Sequence, residues 1–216
     1  CRSGVQIPSG PLFYSLSDIM KIGIDIDEVL AKQLEKLVQF YHLKTGKLIP
    51  VENFHTYYWP DVWGVTLEEG LRIDQEFKQS EYFDSIEPLE NATEAVNHLK
   101  KGNQLFIITA RPIFFKEKTE KWLKKYLHGI PFKLIHSGDF HITNKTKNKG
   151  EICEELSIDI MIEDQDKYAL QCAEKGIKVI LLNKPWNKQA EHHNIIRVNN
   201  WIEILKEIDK IEATHQ

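Results

Sequence analysis

Asp25 and Asp27 stand one residue apart where an apolar strand pattern breaks, in the stretch Lys21-Ile-Gly-Ile-Asp-Ile-Asp-Glu-Val-Leu30. Residues i and i+2 of a strand point to the same side, so the two carboxylates converge if the strand holds as far as Asp27. At the carboxyl end of a parallel strand, where open α/β sheets place their ligands, such a pair can hold a divalent cation. It can also divide nucleophilic attack from proton transfer. The alternative is a strand end followed by a solvated acidic turn, and an isolated D-x-D is a weak signal by itself.

Other strand ends carry reactive groups too. Gln104 to Thr109 is a nearly continuous apolar run that ends in a hydroxyl and leads into Ala110-Arg111-Pro112. Ile158 to Ile162 is another, ending in Glu163-Asp164, and Lys149 directly precedes the short helix predicted over Glu151 to Leu156. Lys145 and Lys147 lie close by and compete with it. Acid pair, hydroxyl, lysine and second acid pair form a set of the kind that marks an active site. A further cluster, Phe54, His55, Tyr57, Tyr58, Trp59, Pro60 and Trp63, crowds into one irregular segment. Such rings either fill the core of a small subdomain or offer a stacking platform to a planar base.

The elements that must position these groups alternate. Apolar residues recur at helical steps from Val29 until Gly46 stops them, and helices are predicted over Leu67 to Gln79, Leu89 to Lys101 (started by Pro88), Ile113 to Leu127, Lys167 to Lys175 and Trp201 to Ile211. Strands are expected at Phe132 to His136 and Lys178 to Leu182, with Ile195 to Val198 as an edge strand. Strands alternating with helices imply an α/β fold, a right-handed, doubly wound parallel sheet.

The 216 residues suit one compact domain, or one with a modest insertion. No apolar run is long enough for a membrane span. A formal net charge of -4 lacks the basic footprint of a protein that binds nucleic-acid polymers, though it leaves room for a small anion. The three cysteines are too few and too dispersed for a disulfide framework or a zinc knuckle, which points to a reducing compartment. The acceptor patterns Asn91-Ala-Thr93 and Asn144-Lys-Thr146 read as chance matches. Residues 1–19 lack the pattern of a signal peptide and are expected to be a non-native or disordered extension. Val5-Gln-Ile-Pro8 back-translates through GTTCAAATCC, like the T-arm of a transfer-RNA gene, so Met20 is the expected start. No histidine pair has zinc-helix spacing and no Gly-rich phosphate loop occurs. The lysine-rich run from Lys116 to Lys125 reads as a solvated helix face.

The set Ile24-Asp-Ile-Asp-Glu-Val29, Ile107-Ile-Thr-Ala-Arg111, Lys149 and Ile162-Glu-Asp164 resembles the haloacid dehalogenase superfamily of phosphatases. The resemblance runs from Lys21 onward and implies a Rossmann-like catalytic core of 20–45 and 88–216, with a small, mainly helical cap at 46–87. It implies that Asp25 is the nucleophile, forming an aspartyl phosphate, and that Asp27 is the acid and then the base. Thr109 would bind a phosphoryl oxygen, and Lys149 would stabilise charge on the phosphoryl group and nucleophile. Mg2+ would be held by Asp25, the main-chain carbonyl of Asp27, and Glu163 and Asp164. The superfamily commonly has Asp where Glu163 stands, so Asp164 is the favoured direct ligand.

Within the superfamily the chain is most similar to the cytosolic 5'(3')-deoxyribonucleotidase group, on Thr109-Ala-Arg-Pro112 and on Leu182-Asn-Lys-Pro-Trp-Asn187 followed by Arg197-Val198 and Trp201. That resemblance implies a cytoplasmic enzyme acting on a nucleoside monophosphate, with a base stacked among Phe54, Tyr57, Tyr58 and Trp59; Arg111 is either a surface charge or, beside Thr109, a contact for the substrate phosphate. It leaves a homodimer open. The rival readings are a phosphatase for another metabolite such as a sugar phosphate, and a non-catalytic phosphate-binding or receiver-like signalling domain.

Overall fold

The computed structural model describes residues 19–138 and 147–215. The expectations for residues 1–18 and for Lys145 lie outside these. The apolar runs form six strands, β1 (Lys21–Ile24), β2 (Gln104–Thr109), β3 (Lys133–His136), β4 (Ile160–Glu163), β5 (Lys178–Leu182) and β6 (Ile195–Val198). They make one sheet, parallel throughout, in the order β3-β2-β1-β4-β5-β6. The α/β class expected from the sequence is the one observed.

The chain steps outward from β1 to β2 and β3 and then returns to lay β4 on the other side of β1. The strand order therefore reverses between β1 and β4, and such a switch point opens a crevice at the carboxyl ends of the strands. Ile24 pairs with Ile107 on one side and Ile162 on the other. That register brings Asp25, Thr109 and Glu163 to one edge.

Successive residues of each strand face opposite layers. Ile22, Ile24, Leu105, Ile107, Ile160 and Ile162 join one apolar cluster, while Phe106, Ile108, Met161 and Val179 join another on the far face. Both faces are thus covered, as continuous apolar strands require. Gly23 has no room for a side chain, since a Cβ there would lie 2.7 Å from Met161 Sδ.

The helices are α1 (Gln33–Thr45), α2 (Trp59–Trp63), α3 (Leu67–Gln79), α4 (Glu81–Asp84), α5 (Ala92–Leu99), α6 (Lys116–Tyr126), α7 (Lys149–Glu155), α8 (Asp166–Glu174) and α9 (Trp201–His215). Three begin later than the periodicity suggests, α6 because Ile113–Phe115 forms a separate 3-10 turn ahead of it. Residues 26–31 wrap around the Ile26 carbonyl, which accepts from the amides of Leu30 and Ala31 at 2.8 Å each, and Glu28 takes a left-handed φ of 58°. Helix α1 starts only after this loop. Residues 87–89 are likewise drawn away from α5: Leu89 N donates to Leu30 O (2.7 Å) and Lys32 N to Glu87 O (2.9 Å).

Those two hydrogen bonds also show how the intervening segment is attached. The chain leaves at 30–32 and returns at 87–89 along paired backbone, and α1 to α4 lie between. Helix α1 packs with α3 and α4: Phe40 meets Phe77 and Tyr82 at 5.7 and 5.9 Å between ring centroids, and Tyr41 stacks on Trp63 at 4.6 Å. Among the described residues, no helix is long and apolar enough to cross a membrane.

Candidate active site

Asp25 follows the last residue of β1, and its amide still donates to Ile162 O at 3.0 Å. Its carboxylate is therefore fixed by the sheet rather than by a loop. Lys149 comes to it from α7, whose first turn is set by a capping box: Asn148 Oδ1 accepts from Glu151 N (2.9 Å) and Glu151 Oε2 from Asn148 N (2.7 Å). The Lys149 ammonium is fully buried and donates to Asp25 Oδ1 at 2.7 Å and Glu163 Oε1 at 2.5 Å, with the Tyr168 ring 4.6 Å away. Lys147 is exposed and pairs with Glu155 instead. Of the two described lysines of that cluster, Lys149 alone reaches the acids.

Glu163 and Asp164 are both buried, and their oxygens differ in use. Glu163 gives Oε1 to Lys149 and Oε2 to the amides of Asp164 (2.7 Å) and Gln165 (3.0 Å). Asp164 accepts at Oδ2 from the Trp186 indole (3.0 Å), while its Oδ1 is buried without a hydrogen-bond partner. One carboxylate oxygen from each of Asp25, Glu163 and Asp164 lies within 4.8 Å of the others.

Burial has electrostatic consequences. Desolvation pushes Asp25 up to about 7, against the opposing pull of Lys149 and with help from Glu163 and Asp27. Desolvation also drives Asp164 well above the usual carboxylate range, reinforced by Glu163 and Asp25. Burial alone would lower Lys149, yet Asp25 and Glu163 together hold it well above the ordinary lysine value. Three buried carboxylates around one ammonium, with an unpartnered oxygen among them, fit a hard divalent cation with oxygen ligands. Mg2+ meets that description.

The D-x-D pair does not stay in one strand. β1 ends at Ile24, and Asp27 sits in the loop beyond, where Arg111 grips it as a fork: Nε to Oδ2 at 2.9 Å and Nη2 to Oδ1 at 2.5 Å. Arg111 is buried, with its guanidinium carbon 4.9 Å from the Phe83 ring centre. Its engagement is thus with Asp27. Thr109 ends β2 and accepts from Arg111 N at 3.2 Å through its hydroxyl oxygen.

Asp25, Asp27, Thr109 and Arg111 share one cleft with Tyr57, Trp59, Lys78, Gln33, Gln165 and Tyr168. Tyr58 faces an adjoining hollow lined also by Pro60, Leu67 and Asp74, and Phe54 is buried in the apolar core. Of the four aromatic residues considered for base stacking, Tyr57 and Trp59 therefore reach the cleft. Sequence reasoning did not single out Lys78 or Tyr168. Lys78 lies four residues after Asp74 on α3, with the two side chains 2.6 Å apart, a spacing that ordinary surface pairs share.

The sequence model of the family described as "5' nucleotidase, deoxy (Pyrimidine), cytosolic type C protein" matches residues 18–215. A Bacillus cereus protein provisionally named a nucleotidase is 29% identical over 189 residues, 86% of this chain and 96% of that protein. Among solved structures, a haloacid dehalogenase-like hydrolase from Streptococcus pneumoniae superposes with a TM-score of 0.64 at 13% identity, covering 89% of this chain and 100% of that one. The Bacillus subtilis protein YfnB, provisionally a hydrolase of the same superfamily and solved with magnesium, gives 0.61 at 13% identity, covering 88% and 99%.

Proposed function

The chain belongs to the cytosolic type C 5'-nucleotidase family, a phosphatase family of haloacid dehalogenase type, and from that premise we propose that it is a magnesium-dependent phosphomonoesterase for (deoxy)nucleoside monophosphates in the cytoplasm. What carries the reading is the single cleft that joins Asp25 to Asp27 and Thr109, with Lys149 buried behind Asp25. Membership of a nucleotidase family weighs against the receiver-like alternative.

In the proposed reaction an Asp25 oxygen attacks phosphorus, and the bond from phosphorus to the leaving oxygen breaks as the aspartyl phosphate forms. The leaving oxygen takes a proton from Asp27. A water that gives its proton back to Asp27 then attacks phosphorus, releasing phosphate and restoring Asp25. The Arg111 fork aims the two Asp27 oxygens during both transfers. The Thr109 hydroxyl oxygen already accepts from Arg111 N, which leaves its proton for a phosphoryl oxygen. Lys149 keeps Asp25 oriented and offsets charge beside it. Asp25, Asp164, Glu163 and the Asp27 carbonyl would hold Mg2+, which would supply charge neutralisation where phosphate otherwise repels the carboxylates.

The base would rest against Trp59 and Tyr57. Helices α1 to α4, residues 33–86, form the unit that would serve as the cap; this adds α1 to the 46–87 expected from sequence, because α1 packs on α3 and α4. The test is phosphate release from a panel of nucleoside monophosphates and sugar phosphates, with Mg2+ and with chelator. Mg2+-dependent release strongest on deoxynucleotides is expected. Release from sugar phosphates alone would keep the chemistry and discard the substrate.

A further inference from the structure

One turn donates to both the carboxylate and the carbonyl of Asp164. The turn that follows β5, Pro185–Asn187, is tied to it by three hydrogen bonds. Trp186 Nε1 donates to Asp164 Oδ2 (3.0 Å) and to its carbonyl (3.1 Å), and Asn187 Nδ2 donates to the same carbonyl at 2.6 Å. The turn is itself braced. Asn187 Nδ2 also reaches Leu182 O (2.6 Å), and Arg197 of β6 donates to Asn187 O (2.5 Å), Asn187 Oδ1 (3.1 Å) and Ala190 O (2.7 Å). Lys184, next to the turn, donates to Glu28 Oε2 at 2.9 Å, which links it to the loop that carries Asp27.

The same indole meets the segment proposed as the cap. Tyr57 packs edge-on against Trp186 with ring centroids 5.8 Å apart, and Tyr57 lines the cleft beside Asp25. An Asn or Ser could donate a hydrogen bond to Asp164 and a Phe could pack on Tyr57, but an indole supplies donor and broad ring together. Burial makes the donor matter. Without it both Asp164 oxygens would lie in the low-dielectric interior, where an unsatisfied carboxylate is costly.

We infer that Trp186 is a positioning residue of the cation site: its N–H holds Asp164 Oδ2 so that Oδ1 faces the ion, while its ring seats Tyr57 against the same site. This rests on the proposed reading that a divalent cation binds among Asp25, Glu163 and Asp164. Outer partners of metal-binding carboxylates typically matter about 10- to 100-fold in metal affinity. Trp186 is assigned a share of that size.

The experiment is calorimetric titration of the full chain with Mg2+ alone, comparing wild type with Trp186→Phe, which keeps a ring for Tyr57 and removes only the donor. Activity at varied Mg2+ is measured beside it. The expected result is Mg2+ affinity weaker by about 10- to 100-fold, with the substrate KM at saturating Mg2+ close to wild type and the rate restored by excess Mg2+. Unchanged Mg2+ affinity in Trp186→Phe overturns the inference and leaves the proposed reaction standing. A rate loss that excess Mg2+ does not restore also overturns it. A wild-type chain that takes up no Mg2+ overturns the proposed cation site, and this inference with it.

Discussion

Lys149 pairs with two of the three buried carboxylates of the site, Asp25 and Glu163, so its removal is costly in a definite way. Lys149→Met leaves Asp25 and Glu163 without their ammonium. Breaking a buried pair from one side costs about 3–5 kcal/mol, which should appear as a large fall in the melting temperature of the metal-free protein. For the reaction, Asp25→Asn should lose at least about a thousandfold in rate with its fold intact by circular dichroism. Asp27→Asn should lose about 10²–10⁴-fold, the range a positioned acid contributes. Arg111 separates two readings. If it aims Asp27, Arg111→Lys lowers kcat by about 10- to 100-fold, within the share of that acid, and moves KM little. A residue that only grips the phosphate would raise KM instead.

How far single residues could be read from sequence follows from distance along the chain. Asp25, Thr109, Glu163 and Asp164 were legible because each interrupts or ends an apolar strand run. Lys149 was legible once a helix was expected just after it. Arg111 lies 84 residues from Asp27 and Trp186 lies 22 from Asp164. Nothing in local spacing distinguishes either from a surface charge or a core ring.

At the scale of elements, the site depends on the seating of α7 against α8. A Cβ on Gly150 would lie 2.2 Å from the Gln171 carbonyl oxygen, a backbone atom of α8 that cannot turn aside. Gly150→Ala must therefore push α7 outward, and Lys149 moves with it. The expected destabilisation is about 1–3 kcal/mol, read by denaturant melts, together with a fall in rate. Gly102→Ala, where a new Cβ meets nothing within 4 Å, is the matched control and should stay within about 0.5 kcal/mol of wild type. Strands and most helices were legible from periodicity. The late starts of α1 and α5 were not, because residues 26–31 turn around the Ile26 carbonyl and residues 87–89 pair with 30–32, which no local pattern encodes.

For the whole molecule, the sheet order makes β1 and β4 the seam where charge collects, and a ligand bound there should stabilise the entire fold. Mg2+ at about 100 times its Kd should add about 2.7 kcal/mol, measurable as a higher melting temperature that chelator reverses. Chelator should abolish turnover in the same samples. The parallel α/β architecture was legible because strand and helix patterns alternate along the chain. The paired crossings at 30–32 and 87–89, between which α1 to α4 lie, emerge only in three dimensions.

The most direct measurement is a rapid acid quench of the enzyme during turnover of a deoxynucleoside monophosphate with Mg2+, followed by mass spectrometry of its peptides. A phosphoryl group on Asp25, absent in Asp25→Asn and absent with chelator, is the predicted result. Steady turnover with no phosphoryl group on Asp25, or full activity in Asp25→Asn, would contradict the account.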